Sequence, residues 1–289
     1  MKNDRTITTS TRLCAVIGNP VAHSLSPALH NAAFDELGLD FVYLAFHVED
    51  VKSALAGMRA LSNFRGMSVT IPHKIEAMKH VDEVAEVDRS IGSINTIINE
   101  NGRLIGLGTD GPGALKALVD AGAELDGKSV LMLGSGGAAR AIAFTLARNA
   151  RLAKLSMLDI NEGMLQGLTA DLKTGTAARI EAEVLTDGSL ARAMGHADVV
   201  INCTPIGMHP NEDASLVPAA LFRPGQVVFD IVYTPLETRL LADARSHGLR
   251  VISGVEMFIN QAVLQFRHFT GVDAPVEVMR RVVMERLKS

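Results

Sequence analysis

The chain has 289 residues, room for two domains of ordinary size, and 47% of them are hydrophobic, enough to fill two cores. Its net charge of −4 removes the basic footprint of a nucleic-acid binder. The two cysteines, Cys14 and Cys203, are too far apart in sequence for a disulfide scaffold or a metal knuckle. The polar Met1–Arg12 stretch lacks the apolar centre of a secretory leader, and no apolar run is long enough to span a membrane. These features lead us to expect a cytoplasmic protein without nucleic-acid or membrane partners; its assembly, a monomer or a homodimer, is not read from them.

A short apolar strand is expected over Leu13–Ile17, stopped by the turn signal Gly18-Asn19-Pro20. Pro27–Leu37 reads as a helix with Ser26 as N-cap, proline at the first helical position and Gly38 just past the end. Ser24 and Ser26 also suit a second role, holding a small anion such as a carboxylate at that helix N-terminus. Phe41–Val48 is a second strand by its aromatic and β-branched content, Asp50–Leu61 a helix, and Gly66–Thr70 a third strand ended by Ile71-Pro72. Lys74 opens a short helix that runs to about His80, where the helix dipole opposes a cation. It is either a solvated lysine or a proton donor at the strand end, since lysine basicity responds readily to burial. His73 has no second His or Cys at metal spacing, so no metal site is expected.

Ile94–Asn99 and Arg103–Gly108 flank Glu100-Asn101-Gly102, whose Asn-Gly pair signals a hairpin. Asn95 sits at the start of the first strand. Asp110 follows the second, either capping a helix that begins near Pro112 or offering a carboxylate at the rim between two domains. The glycine-rich unit comes next. Val130–Leu133 is a short buried strand, followed by Gly134-x-Gly136-x-x-Ala139 and a helix to about Arg148. Strand, glycine turn and helix in that order form a dinucleotide-binding element: Gly134 permits the tight turn, Gly136 lets backbone approach a pyrophosphate, and Ala139 lets helix pack close to strand. The next strand, Leu155–Leu158, ends at Asp159, which is 159 − 134 = 25 residues past the first glycine, near the roughly 20 expected of the ribose-binding acid. Ala197–Asn202, Val227–Val232 and Arg250–Ile252 are further strands, and their polar or glycine-containing ends point to one crevice at the carboxyl edge of a sheet. Glu256–Phe269 is a helix on which Met257, Gln261 and Leu264 share a face, and Pro275 starts a final amphipathic helix.

In combination, Ser24-Leu-Ser26-Pro27, Val69-Thr70-Ile-Pro-His-Lys74, Ile94-Asn95-Thr96, Thr109-Asp110-Gly111, Gly134-Ser-Gly-Gly-Ala138, Asn202-Cys-Thr-Pro-Ile-Gly-Met208 and Gln261 give a sequence that resembles the shikimate/quinate dehydrogenase family from about Arg12 to Gly271. The resemblance implies an α/β protein: a substrate-binding catalytic domain over residues 1–112, completed by 255–289, and a Rossmann-type doubly wound domain over 113–254. It implies hydride transfer between a nicotinamide cofactor and a small hydroxy acid, with Lys74 catalytic and coupled to Asp110. Ser24 and Ser26 would hold the substrate carboxylate, and Thr70, Asn95, Asp110 and Gln261 would bind the ring hydroxyls, with Tyr233 nearby. Gly134, Ser135, Gly136, Gly137, Ala138, Asp159, Thr204 and Gly254 would face the cofactor.

Three positions depart from the family pattern. Ser68 stands where many members have asparagine, and Gly108 where asparagine usually precedes Thr-Asp-Gly, which leaves quinate and aminoshikimate as alternatives to shikimate. Asp159-Ile-Asn-Glu-Gly-Met164 replaces the Asn-Arg-Thr of NADP-using members and contains no arginine, so NAD is the expected cofactor and NADP the alternative. A catalytically silent metabolite sensor is the reading from another class; retention of both Lys74 and Asp110 argues against it.

Overall fold

The computed structural model describes residues 6–288, so the first five residues of the polar N-terminal stretch and the last residue of the 255–289 segment lie outside it. The chain divides into two units, one running to Thr109 and resuming at Gln261, the other Asp110–Asn260. The first contains β1 (Arg12–Gly18), α1 (Ser26–Glu36), β2 (Phe41–His47), α2 (Val51–Ala60), β3 (Phe64–Val69), α3 (Lys74–Met78), β4 (Glu83–Val84), α4 (Glu86–Ile91), β5 (Thr96–Glu100) and β6 (Arg103–Leu107). Its sheet has the order β2-β1-β3-β5-β6-β4. β1 is parallel to both neighbours, while β5 runs antiparallel to β3 and to β6. The β5–β6 turn has positive φ at both Asn101 (54°) and Gly102 (88°), the twist-matched geometry that the Asn-Gly pair supplies.

β1 is buried on both faces, which explains its unbroken apolar reading. Ala15, Ile17, Leu55, Met67, Val69, Ile97 and Leu104 form one core. On α1, His30 and Phe34 meet Tyr43 of β2 and the rings of Phe266 and Phe269. The expected cap of α1 is corrected. Leu25 occupies the N-cap position without a side-chain bond, and Ser26 is already helical. It is Ser24 Oγ that accepts a helix-end N–H, from Ser26, at 3.3 Å.

The second unit holds α5 (Asp110–Asp120), β7 (Ser129–Leu133), α6 (Gly137–Asn149), β8 (Lys154–Asp159), α7 (Glu162–Gly175), β9 (Ile180–Val184), α8 (Asp187–Met194), β10 (Val199–Asn202), β11 (Val227–Asp230), α9 (Arg239–Ser246) and β12 (Arg250–Ile252). All its strands are parallel, in the order β12-β11-β10-β7-β8-β9. That is the doubly wound Rossmann order, and the winding direction reverses between β7 and β10. Asn161, Thr186 and Thr238 each accept a backbone N–H as N-caps of α7, α8 and α9. α10 (Gly254–Thr270) supplies residues to both units, up to Asn260 in the second and from Gln261 in the first; α11 (Val276–Leu287) packs on α1. Among the described residues no helix is long and apolar enough to cross a membrane.

Asp110 is itself the first residue of α5, two positions ahead of the expected start, so its carboxylate lies in the first turn, where the dipole favours it. Gly111 then brings α5 against α6: a Cβ there would collide with Thr145 Oγ1 and lie 2.6 Å from the Ala141 carbonyl oxygen. Gly111→Ala should therefore lower stability by about 1–3 kcal/mol, read as a fall in melting temperature. Adding Thr145→Ala should recover only part of the loss, because the Ala141 backbone stays in place; full recovery would contradict the packing account.

At the end of β11, fully buried Asp230 accepts from Asn202 Nδ2 (2.9 Å), Val232 N (3.1 Å) and Thr238 Oγ1 (2.6 Å). Burial outweighs these donors and lifts its carboxyl from 3.8 to about 6. The folded state therefore favours the protonated acid. This contribution to stability is complete below about pH 4 and lost as pH rises through about 6, a change of about 3 kcal/mol. Across pH 4 to 7, the melting temperature of the native protein should fall relative to that of Asp230→Asn; a gap independent of pH would contradict the buried-acid assignment.

Candidate functional site

In the first unit, the sheet topology gathers polar residues at one end. Because β5 runs antiparallel to β3, the residues after β3 and those before β5 share that edge. Thr70 follows β3 and its N–H donates to the Ile17 carbonyl at 2.9 Å. Gly18 makes room for it: a Cβ there would run into Thr70 Cγ2 and sit 3.2 Å from the Ile71 carbonyl. Lys74, half-buried, opens α3, and its carbonyl accepts from Ile94 N at 3.0 Å. His73 beside it is buried and bonds through Nε2 to the Val48 carbonyl at 2.7 Å, a packing role.

Asn95, buried just ahead of β5, is held by its neighbours. Its Oδ1 accepts from Thr109 N at 2.7 Å and its Nδ2 donates to Thr109 Oγ1 at 2.9 Å. Thr109 Oγ1 also lies 3.4 Å from Gln261 Oε1 on α10. Ser24 and Ser26 follow the end of β1, and Ser26 is buried next to the Tyr43 hydroxyl. Tyr43, Ser68 and Gln265 complete this polar cluster: Tyr43 Oη donates to Ser68 Oγ (2.6 Å), and Ser68 Oγ to Gln265 Oε1 (2.7 Å). Sequence reasoning passed over Tyr43 and Gln265. The available signals were the inward alternation of Phe41 and Tyr43 on β2 and the one-turn spacing of Gln261 and Gln265 on α10. At the other unusual position, Gly108, a Cβ would lie 2.5 Å from Asp88 Oδ1, so buried Asp88 fills space that a side chain would otherwise need.

The second unit carries the glycine turn. Gly134 has φ +103°, a conformation that favours glycine, and a Cβ would lie 3.1 Å from the Cys203 backbone and Thr204 Cγ2. The turn therefore sits at the reversal of strand order, between the ends of β7 and β10. Gly136 is the N-cap of α6 without a side-chain cap, and nothing lies within 4 Å of where its Cβ would be. Open space over a helix N-terminus fits a pyrophosphate, with Gly137 and Ala138 opening the first turn. Ser135, buried, donates to Asp159 Oδ2 at 2.6 Å, while Asp159 Oδ1 accepts from Asn161 N at 2.8 Å. Asp159 thus ties the glycine turn to the end of β8 and also caps the following turn.

Thr204 Oγ1 donates to Asn202 Oδ1 at 2.7 Å, fixing the loop after β10. Gly254 is a close approach: a Cβ would meet the carbonyl oxygens of Ile231 and Val232. Tyr233 stacks on Phe258 with centroids 4.7 Å apart, and burial raises its phenol above the ordinary value, which keeps it a neutral donor. Among the described residues no group of three or more His, Cys, Asp and Glu is placed to hold a metal ion.

Comparison with known proteins agrees with this architecture. A model of the shikimate dehydrogenase substrate binding domain matches residues 16–97, and one of the shikimate 5'-dehydrogenase C-terminal domain matches residues 254–284. The shikimate dehydrogenase (NADP(+)) of Moorella thermoacetica is 45% identical over 283 residues, covering 96% of this chain and 94% of that protein. A shikimate dehydrogenase solved in complex with NADP+ superposes with a TM-score of 0.90 at 36% identity, covering 98% of both chains. The shikimate 5-dehydrogenase of Listeria monocytogenes, solved with shikimate and NAD, gives 0.89 at 34% identity, covering 96% of this chain and 98% of that one. With identity of this extent over nearly its whole length, the chain belongs to the shikimate dehydrogenase family.

Proposed function

We propose that this protein reversibly reduces the ring ketone of 3-dehydroshikimate to the hydroxyl of shikimate, using a nicotinamide cofactor with NAD preferred over NADP. The observation that carries the reading is the pairing of an open glycine turn at the strand-order reversal with polar residues gathered at one sheet edge of the other unit. In this reading Ser24 and Ser26 hold the carboxylate, and Thr70, Asn95, Gln261 and Tyr233 bind around the ring. Gly134, Ser135, Gly136, Gly137, Ala138, Asp159, Thr204 and Gly254 hold the cofactor, which when bound supplies or takes up the hydride.

What the chain itself must supply is proton chemistry and charge stabilisation. Reduction of a ketone turns its oxygen into an alkoxide. Lys74, as the ammonium, stabilises that charge and delivers a proton to the oxygen; in the oxidation direction the neutral amine removes it. Asp110 is the second catalytic residue, acting with Lys74 as one unit.

The preference for NAD rests on charge. A 2′-phosphate beside Asp159 would meet like charge, and Ile160, 80% exposed, stands where a cation would be needed. Two cations that could swing toward a 2′-phosphate, Arg140 and Lys154, are engaged by Asp171 at 2.6 Å and Glu181 at 3.0 Å. The curated relatives at 38–45% identity, Moorella's among them, carry NADP(+) in their names, while the Listeria enzyme was solved with NAD; the NAD reading therefore rests on the local residues of this chain and departs from those relatives.

Lys74→Ala should reduce turnover by about 100- to 10,000-fold while the dissociation constant for the cofactor stays unchanged; near-normal turnover removes Lys74 from its role. Asp110→Asn should also be severe, and the double variant should lose less than the product of the singles. For the cofactor, Asp159→Asn combined with Ile160→Arg should move the ratio of kcat/KM values toward NADP by replacing repulsion with a charge-assisted contact. An unmoved ratio would contradict the assignment of Asp159 to the ribose.

A further inference from the structure

The hydrogen bonds around Gln265 have only one consistent direction. Gln265 Nε2 has two protons, placed on the Asn95 carbonyl at 3.2 Å and on Thr96 Oγ1 at 3.0 Å. Its Oε1 can only accept, and accepts the Ser68 proton at 2.7 Å. Ser68 has no second proton, so toward Tyr43 it must accept, and Tyr43 Oη donates at 2.6 Å. Thr96 Oγ1, already accepting from Gln265, passes its own proton to Asn95 Oδ1 at 3.1 Å. The chain therefore runs from Tyr43 through Ser68, Gln265 and Thr96 to Asn95. At its far end Thr109 N, which can only donate, fixes Oδ1 as the oxygen of the Asn95 amide. All six residues are buried, where hydrogen bonds reinforce one another and a broken link is costly.

The starting residue is held rigidly. The Tyr43 ring stacks on His30, centroids 4.4 Å apart and 9° from parallel. His30 lies one turn after Ser26 on α1, so both face the same way. Burial lowers His30 to about 3, and neither of its buried ring nitrogens has a hydrogen-bond partner, so the stack is uncharged at working pH.

Building on the function proposed above, we infer that Tyr43 is a positioning residue for the substrate side, its hydroxyl orienting the Asn95 carboxamide through Ser68, Gln265 and Thr96. Serine at position 68 is what makes the relay continuous: one hydroxyl both accepts from Tyr43 and donates to Gln265. Specificity for the ring hydroxyl that Asn95 recognises then depends on a phenol on β2, across the β1 and β3 strands from Asn95.

Tyr43→Phe removes only the hydroxyl and keeps the stack on His30. It should raise KM for shikimate roughly five- to tenfold, with kcat within about twofold and cofactor KM unchanged. Ser68→Ala should do the same, and the double variant should be no worse than the more damaging single, since both break one relay. A lowered melting temperature with unchanged KM makes Tyr43 structural and overturns the inference, as does a double variant equal to the product of the singles. Amide hydrogen exchange at Thr109 N should also quicken in Tyr43→Phe; an unchanged rate overturns the relay whatever the substrate. If the native protein turns over no shikimate, it is the functional reading that fails, and exchange at Thr109 still decides the relay.

Discussion

The buried Asn95 carboxamide, accepting from Thr109 N at 2.7 Å and donating to Thr109 Oγ1 at 2.9 Å, joins the segment before β5 to the segment after β6. Both partners lie out of solvent, so each group left unpaired would cost about 1–3 kcal/mol. The contact therefore specifies one arrangement of the sheet edge. Thr70 and Lys74 are fixed to the same edge by backbone bonds to Ile17 and Ile94. Side chains locked in this way give a polar edge of fixed geometry, which is what orientation-dependent chemistry requires.

The second unit relies on backbone instead. Its parallel sheet is buried by helices, and at the reversal between β7 and β10 the glycines at 134 and 136 leave the N-terminus of α6 uncovered by side chains. A helix end left open in this way attracts an anion through N–H groups and dipole, independent of any titration. Asp159 adds a carboxylate, held by Ser135 Oγ and Asn161 N. A helix N-terminus left open in this way, with a carboxylate beside it, suits the phosphates and outer ribose of a nicotinamide dinucleotide.

The fold was legible where the physics is local. Continuous apolar runs gave β7 and β10, the Asn101-Gly102 pair gave the hairpin, and glycine spacing gave the turn before α6. β9 went unread because Ile180–Val184 alternates with glutamates at the sheet edge, and β4 and α4 because the acidic Asp82–Asp88 stretch carries no apolar run or capping pattern. Ser26 looked like a cap because serine before proline is a good capping pattern, yet Ser24 accepts the helix N–H. The relay from Tyr43 to Asn95 was illegible for another reason: apart from the neighbours Asn95 and Thr96, its members are far apart in sequence and meet only once β2, β3, β5 and α10 are assembled. Nothing in a single sequence marks which buried hydroxyl will find which amide.

The proposed reaction joins shikimate to a nicotinamide cofactor whose choice is set by Asp159. Initial rates of the native protein, crossing shikimate and quinate with NAD and NADP, test it most directly. The highest kcat/KM is expected for shikimate with NAD. Equal efficiency with both cofactors, an advantage for NADP, or turnover of quinate alone would contradict it.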